Sequence, residues 1–113
     1  MYKRQVYISI HINGTSSSTA HGPCVFYFYP TDYKLAKNLL NELKGVIGGG
    51  YLYPSSELAW SNGYYVTRNT MMPGVLAEYG FGTNPSDFEK LTDSATQTLL
   101  AKATVRAIIA AYS

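Results

Sequence analysis

A chain of 113 residues is one small domain, long enough for a single buried core and too short for two. Its 46% apolar and 14% charged residues exclude a disordered chain, and no apolar run approaches the ~20 residues of a membrane span. One cysteine excludes an internal disulfide framework or a four-cysteine zinc site, and nine scattered Lys and Arg with a net charge of +2 offer no basic stripe for nucleic acid.

The opening residues show no basic start, apolar core and small-residue cleavage site, so no signal peptide is read there. Val6, Ile8, Ile10 and Ile12 alternate with Tyr7, Ser9, His11 and Asn13. That period of two predicts a strand from Val6 to Asn13 with a β-branched apolar face. Asn13-Gly14 ends it, and the Thr/Ser run to Thr19 reads as a solvated loop. Cys24 to Tyr29 reads as a second strand, stopped by Pro30.

Thr31 or Asp32 can cap a helix running to about Ile47. Leu35, Ala36, Leu39, Leu40, Leu43, Val46 and Ile47 form its apolar stripe, and Gly48 to Gly50 end it. Tyr51 to Asn62 reads as a loop, Tyr64 to Val66 as a short strand, and Val75 to Tyr79 as a further strand. Ser86-Asp87-Phe88-Glu89 fits a capping box that opens a short helix. Ser94 starts the last helix, with Gln97 at the matching position. Its C-terminal half is apolar around most of its circumference, which predicts burial. Strands separated by helices predict an α/β domain, a twisted, mostly parallel sheet flanked by helices.

Two residues stand where such sheets place their ligands, at the carboxyl ends of strands. His11 could bind zinc or act as a base, or be a half-buried strand histidine. Glu78 ends the run Val75-Leu76-Ala77. Desolvation there would raise its pKa toward that of a general base, although an ordinary edge carboxylate fits the same position. Together they resemble zinc-and-carboxylate equipment for amide hydrolysis, but a zinc site needs three protein ligands. His21 reads as a loop histidine or a substitute ligand. Cys24 reads as a small buried hydrophobe rather than a nucleophile. The 11 tyrosines suit either a sheet face or a binding groove.

Ser9-Ile10-His11-Ile12-Asn13 resembles the Ser-Ile-His-x-Asn motif of the type 3 zinc-dependent N-acetylmuramoyl-L-alanine amidases. Met72 to Pro85 is similar to that family's second hallmark, a hydrophobic strand followed by Glu-x-Gly-Phe and a small loop ending in Asn. Arg68 matches an Arg often seen upstream of it. The resemblance covers nearly the whole chain. It implies zinc-dependent cleavage of the peptidoglycan amide between N-acetylmuramic acid and L-alanine. On it, His11 matches a zinc ligand, Glu78 the catalytic glutamate, and Asn13 and Arg68 substrate-contacting positions. It also implies an extracellular or cell-wall setting, as a released phage endolysin or a cellular autolysin.

The family's first two zinc ligands, a His and a Glu, precede the Ser-Ile-His motif. Here only eight residues precede Ser9, none of them His, Asp or Glu. The resemblance therefore places residues 1–113 as the C-terminal part of an amidase domain. It implies one zinc ligand of three, weak zinc binding, and self-association through an uncovered sheet edge. A non-catalytic remnant or muropeptide-binding module is the alternative.

Overall fold

The computed structural model describes residues 5–54 and 72–113. Four strands form one sheet: β1 (Tyr7–Asn13), β2 (Cys24–Tyr27), β3 (Tyr51–Pro54) and β4 (Gly74–Phe81). The helices are α1 (Tyr33–Ile47), α2 (Pro85–Leu91) and α3 (Ser94–Tyr112), with a 3-10 turn at Pro30–Asp32. The strand order is β1-β4-β2-β3. β1 runs parallel to β4 and β2 parallel to β3, while β2 and β4 are antiparallel. The sheet is therefore mixed, with two of its three pairings parallel as the sequence predicts. The antiparallel junction arises because no helix separates β1 from β2. The loop between them carries the chain from the end of β1, past β4, into a strand pointing the other way.

α1 matches its predicted end. Leu35, Ala36, Leu39, Leu40, Leu43 and Ile47 are all buried. Gly48, at φ +87°, ends the helix in a conformation that side chains resist, and its N–H bonds the carbonyl of Lys44 at 2.9 Å. Asp32 occupies the cap position but makes no side-chain capping bond. It is buried, which pushes its carboxyl pKa up, against a lowering hydrogen bond from the Gly74 backbone.

The core joins α1 to Val25, Val75, Ala77 and Tyr79 of the sheet and to Leu100 and Ala107 of α3. Val6 and Ile8 pack against it, but Ile10 and Ile12 remain 60% and 56% exposed. The apolar face of β1 is thus half covered. Ile10 and Ile12 line an open groove with Leu100, Ala101 and Thr104.

Several boundaries differ from expectation. Tyr51–Pro54 is not loop but a strand, paired in register with Cys24–Tyr27. Three glycines before it and a proline in it look like punctuation, and only the pairing with β2 overrides them. β2 stops at Tyr27 rather than Tyr29. β4 extends beyond Val75–Tyr79 at both ends. The cap of α2 is Asn84, whose side chain accepts from the Asp87 N–H, so Ser86 lies inside the helix. Asp93 caps α3 through the Thr96 N–H, and the Gln97 side chain turns instead to the carbonyl of Leu91.

The C-terminal half of α3 is less buried than its composition predicts. Ala103 and Ala107 are enclosed, but Val105 and Ile109 face solvent. Helix α3 offers one side to α1, and the rest of its apolar circumference has no cover among the described residues. The expected strand at Tyr64 to Val66 lies outside the described residues, as does Arg68. No helix among the described residues is long and apolar enough to cross a membrane.

Candidate active site

His11 and Glu78 are register partners on neighbouring strands. Paired residues of a parallel ladder point to the same face, so topology brings the two side chains together. Glu78 is also the register partner of Cys24 on the other side. The result is a row across one face of the sheet, Cys24, Glu78, His11, with the carboxylate on the interior strand.

Burial pushes the Glu78 pKa up, and the nearby His11 opposes that shift. The glutamate is half-buried while His11, on the edge strand, is exposed. A carboxyl group with raised proton affinity beside an imidazole can take a proton from a polarised water. Ser9, on the same face of β1, has its Oγ 2.7 Å from His11 Nε2.

Asn13 closes the end of this row. The register shifts between His11 and Asn13, so Asn13 pairs with Phe81. Its Oδ1 accepts the Gly14 N–H at 2.8 Å, and its Nδ2 reaches toward Cys24 Sγ at 3.9 Å. The side chain spans the end of β4 from one neighbouring strand to the other. Cys24 is buried, as the sequence reading expects of a small hydrophobe.

A residue that reading treated only as part of a capping box is central here. Asp87 is 2% exposed, and its Oδ2 accepts from Gly22 N–H at 2.7 Å and Phe81 N–H at 3.0 Å. One carboxylate thereby ties the end of β4 to the turn that enters β2. Asn84 adds a second tie, donating from Nδ2 to the Ser18 carbonyl at 2.9 Å. The Ser/Thr loop is thus fastened over the carboxyl end of β4. In the sequence, an Asp in the first turn of a helix signals a cap, and nothing local distinguishes this one.

His21 does not join the row. Its Nδ1 is 3.1 Å from the Thr19 carbonyl, and a side chain on Gly49 would meet its ring at about 3.1 Å. Among the described residues, no group of three or more His, Cys, Asp or Glu is arranged to hold a metal ion. One imidazole and one carboxylate do not make the three-ligand tetrahedral site that catalytic zinc requires. The described residues therefore do not fit a complete zinc site.

The layered α/β sheet thus sets a histidine and a half-buried carboxylate side by side on neighbouring strands. Sequence comparison supplies the assignment. The profile of the N-acetylmuramoyl-L-alanine amidase family matches residues 2–110, and the chain belongs to that family. It is 30% identical over 113 residues to the probable cell wall amidase LytH of Staphylococcus saprophyticus, covering 98% of this chain and 36% of that protein. Among solved structures, the CwlD amidase of Clostridioides difficile, determined in complex with the GerS lipoprotein, superposes with a TM-score of 0.79 at 27% identity. That match covers 94% of this chain and 53% of CwlD. The AmiC2 amidase of Nostoc punctiforme gives 0.76 at 27% identity, over 92% of this chain and 56% of that one. The chain thus spans about a third of the curated relative's length and just over half of these solved chains.

Proposed function

We propose that these residues form the part of a peptidoglycan amidase domain that carries the catalytic base and one metal ligand. The reaction is zinc-dependent cleavage of the amide between N-acetylmuramic acid and the L-alanine of the stem peptide. The pairing of His11 with Glu78 on one sheet face supports this most strongly, because it joins the two residues of the family motifs that the chemistry needs. In this reading Glu78 is the general base, His11 is a zinc ligand, and Asn13 and Arg68 contact substrate. The two further ligands that a three-ligand zinc site requires are not arranged with them among the described residues. The setting is the bacterial cell wall, as the names of the curated relatives suggest.

The test is a chimera. Residues 5–113 replace the matching segment of a solved family member that keeps its own first zinc ligands. The readout is zinc-dependent release of new alanine amino groups from purified peptidoglycan. The chimera is expected to be active, and Glu78→Gln to lower the rate by about 10²–10⁴-fold, the range of a lost general base. A folded, zinc-loaded chimera that releases nothing would overturn the catalytic reading. If the unmodified chain still sediments with peptidoglycan, the muropeptide-binding module takes its place.

The half-covered apolar face of β1, which stands at one edge of the sheet, supports the expected self-association. Light scattering on the chain should give a mass above that of a monomer, falling toward it in the double variant Ile10→Lys, Ile12→Lys. These side chains are too exposed for the substitutions to cost more than about 0.5 kcal/mol each in folding. A monodisperse wild-type monomer would refute this expectation.

A further inference from the structure

The end of the sheet away from the Cys24, Glu78, His11 row carries a second group of side chains. β2 runs antiparallel to β4, with Cys24 opposite Glu78 and Phe26 opposite Leu76. The residues after Phe26 therefore lie toward the amino end of β4, away from Glu78. There Tyr27 and Tyr33 meet edge to face with ring centroids 5.5 Å apart, and Phe28 and Tyr29 do the same at 4.7 Å. Such contacts hold the ring planes in place. Tyr29 and Tyr33 nevertheless remain 41% and 42% exposed. Tyr33 and Lys37 stand one turn apart on α1, and Lys37 Nζ lies over the Tyr33 ring, 5.9 Å from its centroid. Lys34 and Lys37 are exposed, whereas the one acid of residues 30–41, Asp32, is buried. The surface sets two oriented rings beside two cations.

We propose that Tyr29, Tyr33, Lys34 and Lys37 bind an anionic sugar polymer, the peptide-free glycan strand that amide cleavage leaves behind. The identity of the polymer rests on the function proposed above. A pyranose ring has an apolar face of C–H groups and a rim of hydroxyls, and tyrosine matches both with its ring and its O–H. Hydrolysis of the amide takes up one water, frees the alanine amino group and leaves a carboxylate on the muramic acid. Each cleaved repeat thus pairs a sugar face with a negative charge, the complement of a ring beside a cation. An anionic membrane is held by clusters of about four to eight basic residues, and this surface has two. A single-stranded nucleic acid calls for a basic groove, which nine scattered Lys and Arg at a net charge of +2 do not form. Binding here holds the chain on a strand already cut, while the row stands toward the other end of the sheet.

The test is an NMR titration of the nitrogen-15-labelled 113-residue chain with peptide-free glycan strands from bacterial peptidoglycan. Neutral N-acetylglucosamine oligomers, polyglutamate and oligothymidine are the comparison probes. Amide shifts should centre on residues 27–37, and the stripped strands should bind about tenfold more tightly than any comparison probe, the size of one charge-assisted contact. Tyr29→Ala with Tyr33→Ala should weaken binding about tenfold, as expected for two ring contacts of ordinary strength. Lys34→Gln with Lys37→Gln should reduce it to that of the neutral oligomers. Both lysines are exposed, so this pair still decides the matter if parting Tyr33 from Tyr27 unsettles the fold. Absence of binding overturns the proposal, as do shifts centred on His11 and Glu78. Equal binding of polyglutamate or oligothymidine, or a lysine variant that binds like the wild type, also overturns it. An active chimera whose parent chain binds no glycan sinks this proposal alone. An inactive chimera with glycan bound at residues 27–37 sinks the catalytic reading alone.

Discussion

Replacing Asp87 with Ala should lower the unfolding free energy by roughly 3–5 kcal/mol, since each buried N–H left without its partner costs about 1–3 kcal/mol and this carboxylate serves two. The two donors, Gly22 and Phe81, lie just beyond the last β2–β4 pair, Cys24 with Glu78. Their loss would free the turn before β2 from the end of β4. Asp87→Asn keeps an acceptor oxygen and should cost less, about 1–2 kcal/mol. Urea unfolding with matched m-values is the measurement. A loss below about 1 kcal/mol for the alanine variant would mean that water replaces the carboxylate, and that the two segments are held by something else.

Gly22→Ala should be nearly as damaging, for a steric reason. Gly22 has φ +91°, and an added Cβ would lie 2.7 Å from Gly50 N, 2.9 Å from Gly48 O and 3.0 Å from Gly49 C. All three are backbone atoms, so no rotamer change relieves the contact. We expect a loss of about 3 kcal/mol or more, combining left-handed strain with displacement of the glycine turn. Gly45 is the control. It lies in α1 with nothing within 4 Å of its added Cβ, and Gly45→Ala should stabilise by about 0.5–1 kcal/mol. If both variants shift the melting midpoint in the same direction, close packing at Gly22 is not the cause.

What was legible in the sequence follows from what is local. α1 could be read to its last residue because a strong apolar stripe and a glycine stop lie in one window. The alternation in Val6 to Asn13 placed His11 on the polar face correctly. β3 was hidden because its identity depends on a neighbour across the sheet, not on its own four residues. The antiparallel step between β2 and β4 was hidden for the same reason. His11 and Glu78 could be singled out because each lies near the carboxyl end of a recognisable strand within a motif. The role of Asp87 was not, because its partners Gly22 and Phe81 converge on it only in three dimensions. In the sequence, Ser9 is a polar-face residue and motif member. Its contact with the imidazole required the ring orientation.

The strand order also has a bearing on how the site comes into being. The β2–α1–β3 unit is continuous in the chain and closes on local contacts. β4 must then enter between β2 and β1, joining segments far apart in sequence. Loop-closure entropy makes such an insertion slow relative to the local unit. The row of Cys24, Glu78 and His11 would therefore be among the last features to assemble and among the first lost to partial opening. A folding intermediate that has not yet taken up β4 would carry these three residues apart from one another.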